Sequence, residues 1–62
     1  MLNDKLKALR QDNDLTQEEL AKKLNITRSA LSNYEIGIRE PDYSLLIKIS
    51  DYFKVPIDYL LR

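Results

Sequence analysis

Four side chains of this 62-residue sequence, Arg28, Ser29, Ser32 and Asn33, have the types and spacing to read the edges of nucleic-acid bases. At about 100° per residue they form one unbroken polar arc of a helix, while Ala30, Leu31 and Tyr34, with Thr27 alongside, gather on the other side. An arginine fork can donate to guanine O6 and N7, an asparagine can pair with adenine, and serines can donate to or accept from several base edges or phosphates. Two serines and an asparagine are also short, so the backbone that carries them can approach a surface closely. The same arc would equally serve as the solvated side of a surface helix, since any amphipathic helix has such a face.

An arc of this kind works only if the helix is held at a fixed angle, and the preceding residues supply the holder. Thr16 followed by Glu19 is a capping box, which starts a helix at Thr16. Leu20, Ala21 and Leu24 then share one stripe. Glu18 with Lys22, and Glu19 with Lys23, are spaced as supporting pairs on the outside. Asn25 tolerates the left-handed conformation, Ile26 pins the turn inward, and Thr27 caps the next helix. Two helices joined across so few residues must cross at a large angle, so residues 16–35 read as a helix-turn-helix unit.

Composition narrows the classes. The chain contains no cysteine and no histidine, which removes disulfides, thiolate or imidazole metal sites, the usual general base and the commonest strong nucleophile. No enzyme, metal or cofactor is expected. No apolar run approaches the roughly 18 residues of a membrane span, and the amphipathic start MLNDKLKALR does not read as a signal peptide. A soluble cytoplasmic protein is expected. Ten basic and ten acidic residues balance, and residues 1–39 hold seven Lys or Arg against six Asp or Glu. A strong nucleic-acid binder would be more basic. Phosphate attraction must then come largely from helix N-termini and backbone amides near Thr16–Gln17 and Thr27–Arg28, and tight binding should depend on dimerisation.

The runs LTQEELAKKLNIT, LSNYEIGIREPD and SLLIKISDYFKVPIDYLL resemble the Cro and phage-repressor type of helix-turn-helix DNA-binding domain, the XRE family, over nearly the whole chain. The ordered series Thr16–Gln17, Leu20–Ala21, Leu24, Ile26, Leu31–Ser32, Tyr34–Glu35, Gly37, Pro41, Tyr52–Phe53 and Asp58–Leu61 carries the likeness. It implies an all-α bundle of five short helices, one domain over residues 1–62, and a bacterial or phage-encoded regulator of transcription, most simply a repressor on a palindromic operator. It further implies that Arg28, Ser29, Ser32 and Asn33 read bases, while Gln17, Thr27 and Arg39 meet phosphates. Phosphate contacts of that sort set register and base contacts set sequence. Arg10 and Glu35 flank apolar faces that should meet, and the resemblance makes them a partly buried ion pair. Val55, Pro56, Ile57 and Tyr59 are implied as the dimer interface, which would set two recognition helices roughly 34 to 36 Å apart on double-stranded DNA. The competing expectation is a protein-interaction module of the same fold, an antitoxin whose main contact is a toxin or a domain that kept the fold and lost DNA binding, with a toxin or antirepressor as the protein partner.

The remaining scaffold is read from punctuation. A first helix runs from about Asn3 to Asp12 with Leu2, Leu6 and Leu9 inside. Gly37 supplies the left-handed residue past the third helix. Asp42 or Tyr43 opens a fourth helix whose core arc is Leu45, Leu46, Ile49, Tyr52 and Phe53. Pro56 suits the first turn of a fifth helix over 56–61, with Leu60 or Leu61 closing the core. Three positions depart from the family pattern: Arg28 stands where Gln is frequent, and Ile36 and Ile38 stand where polar or basic residues are common. The two isoleucines are expected either to fold onto the fourth helix or to touch a partner subunit or the sugar edges of DNA. The end at Arg62 suits a small natural regulator or the DNA-binding part of a longer protein.

Overall fold

The computed structural model describes residues 2–62, and its elements are α1 (Leu2–Asp12), α2 (Gln17–Leu24), α3 (Arg28–Ile36), α4 (Tyr43–Phe53) and α5 (Ile57–Leu60), with no strand among the described residues. The expected all-α bundle of five helices is the observed fold. Boundaries follow local chemistry. Thr16 accepts from Glu19 N at 3.1 Å while Glu19 Oε1 accepts from Thr16 N at 2.9 Å, so the capping box is closed in both directions. Asn25 ends α2 with φ 59°, and its N–H reaches back to the carbonyls of Ala21 and Lys22. Thr27 then caps α3, its hydroxyl accepting from Ala30 N at 3.0 Å.

Gly37 closes α3 at φ 84°. A side chain there would be strained by the backbone alone, and its Cβ would come within 3.3 Å of Asn3 Nδ2. The next helix is capped by Asp42, which accepts from Leu45 N at 2.9 Å. A lysine, Lys54, ends α4 in the left-handed region at φ 59°. Ser50 holds that turn, its hydroxyl donating to the Val55 carbonyl and its carbonyl accepting from Val55 N.

All five helices contribute to one core. Leu6 from α1, Leu20, Ala21 and Leu24 from α2, Leu31 from α3, Leu45, Leu46 and Ile49 from α4, and Leu60 from α5 are buried together. Each fully buried leucine or isoleucine contributes about 1.5–3 kcal/mol relative to exposure, which a chain of this size needs. Within that core α3 packs against both α1 and α2, while α4 meets α2 and α5, and α5 meets α1. Helix α3 is therefore wedged between two neighbours.

Several expectations shift. Pro56 is the N-cap of α5 rather than part of its first turn, with ψ 148°. Leu60 is the buried closer, and Leu61 is 60% exposed. Tyr52 lies at the edge of the core and is exposed, its ring meeting Phe53 edge-on at 5.0 Å between centroids. Ile36 and Ile38 do not fold onto α4; they are 62% and 72% exposed. Ile36 lies on the polar side of α3, and the left-handed turn at Gly37 leaves Ile38 exposed in the connection. At the far end, Lys5 of α1 donates to the carbonyls of Tyr59 (2.7 Å) and Arg62 (2.6 Å), with its ammonium 4.9 Å from the Tyr59 ring centroid. This clasp joins the first helix to the last.

Candidate nucleic-acid interface

The short turn between α2 and α3 sets the angle at which α3 presents its outer side. Leu31 faces the core and Tyr34 is half-buried against it, whereas Arg28 and Ser29 are exposed and Ser32 and Asn33 half-buried. Together with Gln17 of α2, these four residues line one shallow open depression. A second depression adjoins it, lined by Arg10, Thr16, Gln17, Glu18 and Arg28. Gln17 and Arg28 belong to both, so the start of α2 and the start of α3 form one continuous polar surface.

Behind that surface lies a satisfied buried junction. Arg10 Nε donates to Glu35 Oε2 at 2.7 Å and its Nη2 to Oε1 at 3.1 Å, while Nη1 donates to the Leu15 carbonyl at 2.8 Å. The two side chains are 12% and 2% exposed. Gln17 Nε2 adds a third donor to Glu35, at 3.2 Å from Oε1. The spacing of residues gave no hint of this Gln17 bond, because the contact spans 18 positions and joins two helices across the turn. It orients the Gln17 amide at the edge of the polar surface. By contrast, among the described residues the side chains of Arg28, Ser29, Ser32 and Asn33 enter none of the hydrogen bonds or ion pairs, which centre on Arg10, Gln17 and Glu35 or lie elsewhere.

The two helix N-termini differ electrically. Both leave backbone N–H groups unpaired within the helix, which favours an anion. The first turn of α2 contains Glu18 and Glu19, which offset its positive end. No acidic residue occupies the first turn of α3, and Arg28 stands there instead. The α3 end, beside Thr27, is the more favourable seat for a phosphate. The Glu19 carboxyl is held below its ordinary range, chiefly by the backbone hydrogen bond from Thr16, with the Thr16 side chain and Lys23 acting in the same direction.

The other expected site residues lie apart from this surface in different settings. Arg39 is exposed in the α3–α4 connection, its guanidinium carbon 5.9 Å from the Tyr34 ring centroid. That stacking had no sequence signal beyond the presence of an aromatic residue five positions earlier. Val55 and Ile57 are half-buried, whereas Pro56 and Tyr59 are exposed, at the α4–α5 corner. Among the described residues no group of His, Cys, Asp or Glu has the geometry of a metal site, and no helix is long and apolar enough to cross a membrane.

Two capped helices at a tight turn, the second wedged by its apolar side and open on its polar side, define a helix-turn-helix domain. The sequence model of the helix-turn-helix family matches residues 6–60, and this chain belongs to that family. Along its full length it is 50% identical to the HTH-type transcriptional regulator YqaE of Bacillus subtilis, of which it covers 53%. Over 97% of its length it is 48% identical to the HTH-type transcriptional regulator ImmR of the same organism, of which it covers 47%. The chain thus spans about half the length of these relatives. Among solved structures, it superimposes on SinR, a master regulator for biofilm formation crystallised with DNA, with a TM-score of 0.90 and 28% identity over all of both chains. The P22 c2 repressor, solved with a synthetic operator, matches with a TM-score of 0.90 and 25% identity, covering 97% of this chain and 91% of that one.

Proposed function

We propose that this chain is a sequence-specific DNA-binding regulator of transcription, acting as a repressor that binds a palindromic operator as a homodimer with α3 in the major groove. The observation that carries the reading is the single depression shared by Gln17, Arg28, Ser29, Ser32 and Asn33. Its base-facing groups are held by α3 yet make no bonds of their own within the described residues. In this reading Arg28 takes a guanine edge, Asn33 takes an adenine edge, and Ser29 and Ser32 adapt to neighbouring bases. Gln17, Thr27 and Arg39 hold phosphates, supported by the N–H groups at the start of α3.

Pairing through Val55, Pro56, Ile57 and Tyr59 would present two such helices about one DNA turn apart. The even charge balance of the chain supports a requirement for two subunits, because each releases few counterions. The relatives named as transcriptional regulators, and the neighbours solved with DNA, lend the reading weight. A second reading, a protein-interaction module whose partner is a toxin or antirepressor, draws on exposed Ile36 and Ile38.

Selection from a random duplex pool at low salt, followed by sequencing of the retained DNA, separates the two. An enriched palindrome with half-sites about one turn apart is the expected result. The absence of any enriched sequence overturns the operator reading and favours the protein partner.

A further inference from the structure

Ile36 lies on the same side of α3 as the residues assigned above to base reading. Counting about 100° per residue from Arg28, Ser32 falls near 40°, Ile36 near 80°, Ser29 near 100° and Asn33 near 140°. Ile36 is thus central in angle, and about 6 Å further along the axis than Ser32. It is 62% exposed. Any surface that the polar arc meets also meets this isoleucine, which gains by burial against an apolar group there.

Duplex DNA offers two apolar groups along the major groove: the thymine methyl, out on the base edge, and the C–H face of deoxyribose in the groove wall. Recognition helices read bases with their N-terminal residues, so the last helical residue lies where the helix leaves the groove and crosses a strand. The end of α3 also lacks a cation, with no basic residue in its last turn and the next one only at Arg39. Its final carbonyls carry partial negative charge, which disfavours a phosphate contact at this end of the helix.

We propose that Ile36 packs on the deoxyribose of the groove wall and supplies affinity that depends on neither base sequence nor salt. The inference rests on the DNA-binding reading above. It gives this charge-balanced chain a source of binding that releases no counterions, beside the phosphate contacts that do.

Titration of fluorescent duplexes against the native chain, Ile36→Ala, Ile36→Lys and Arg39→Ala over a salt series tests it, using the selected operator and a scrambled duplex. Because Ile36 is exposed, Ile36→Ala should fold normally, which circular dichroism checks. The expected result is a loss of roughly fivefold on both duplexes for Ile36→Ala, as for burial of part of one aliphatic side chain, with the slope of log K against log salt unchanged. Ile36→Lys should recover binding at low salt and steepen that slope by about one, whereas Arg39→Ala should flatten it by about one. Replacing each operator thymine by deoxyuridine should leave the effect of Ile36→Ala unaltered.

Loss on the operator alone, abolished by one deoxyuridine, overturns the proposal in favour of a thymine methyl. Loss that tracks a weaker dimer in sedimentation equilibrium overturns it in favour of a second subunit. Unchanged binding by Ile36→Ala, with Arg28→Ala still impaired, defeats this inference and leaves the DNA-binding reading standing. If the native chain binds no duplex, both fail.

Discussion

Helix α3 carries polar groups on two sides, and they are satisfied in opposite ways. On the inner side Glu35 accepts from Arg10 twice and from Gln17 once, and Arg10 also holds the Leu15 carbonyl. On the outer side Arg28, Ser29, Ser32 and Asn33 surround an open depression. A buried carboxylate must be paired or its burial becomes prohibitive. An exposed side chain bears no such requirement and can wait for an external partner. The contrast teaches a division of labour within a helix of nine residues: its inner groups determine where it lies, and its outer groups are free to meet something else.

The sharpest way to break that contrast is to delete the inner carboxylate. Glu35→Ala strands Arg10 and releases Gln17, and should lower unfolding free energy by about 3–5 kcal/mol in urea. A loss below about 1 kcal/mol, the range of superficial pairs, would place both sides of α3 on the same footing. The outer side should behave in reverse. Arg28→Ala and Asn33→Ala should each weaken operator binding by about 1–3 kcal/mol and relax preference at one base position, while stability stays within about 0.5 kcal/mol of the native chain. Equal losses in folding and binding from either variant would refute the division.

The smallest effect concerns acid. The Glu19 carboxyl titrates below its ordinary range because it accepts from Thr16 N. Its contribution to folding is therefore complete above the unfolded-state value and disappears as pH falls through the lower folded-state value. Thermal unfolding of Glu19→Gln should show a shallower decline on acidification than the native chain, with nothing changed at neutral pH beyond a small offset. An identical acid profile would mean that the capping box does not sense the charge of its carboxyl.

Much of the scaffold was legible because helix ends are local events. Thr16 with Glu19, Asn25, Thr27 and Asp42 each mark a boundary through bonds made within three or four residues, and Gly37 marks one through its left-handed backbone. The helical period likewise separated Leu31 from Arg28 and Ser32. The misreadings came where a second element intervenes. Pro56 is compatible with either side of a helix start, and it stands extended directly after the turn that Ser50 makes with Val55. Tyr52 belongs to the right stripe of α4, but no neighbour covers it fully. Ile36 falls on the polar arc by the helical period itself, whereas the exposure of Ile38 depends on the direction taken after Gly37, which periodicity does not encode. Of the polar surface, the sequence disclosed the arc on α3 through its spacing. The bond from Gln17 to Glu35 and the stacking of Arg39 near Tyr34 are contacts between elements, invisible until the chain is folded.

The clasp from Lys5 to the carbonyls of Tyr59 and Arg62 closes loops of 54 and 57 residues, nearly the whole molecule. Closure of so long a segment carries a large entropic penalty and yields only two bonds and one ring contact, and α5, at four residues, is too short to persist unsupported. Yet Leu60 of α5 is fully buried in the same core as Leu6, Leu20 and Leu31, so α5 is held by that core as well as by the clasp. The polar face of α3 and the far end of the chain therefore stand or fall with one shared set of buried side chains.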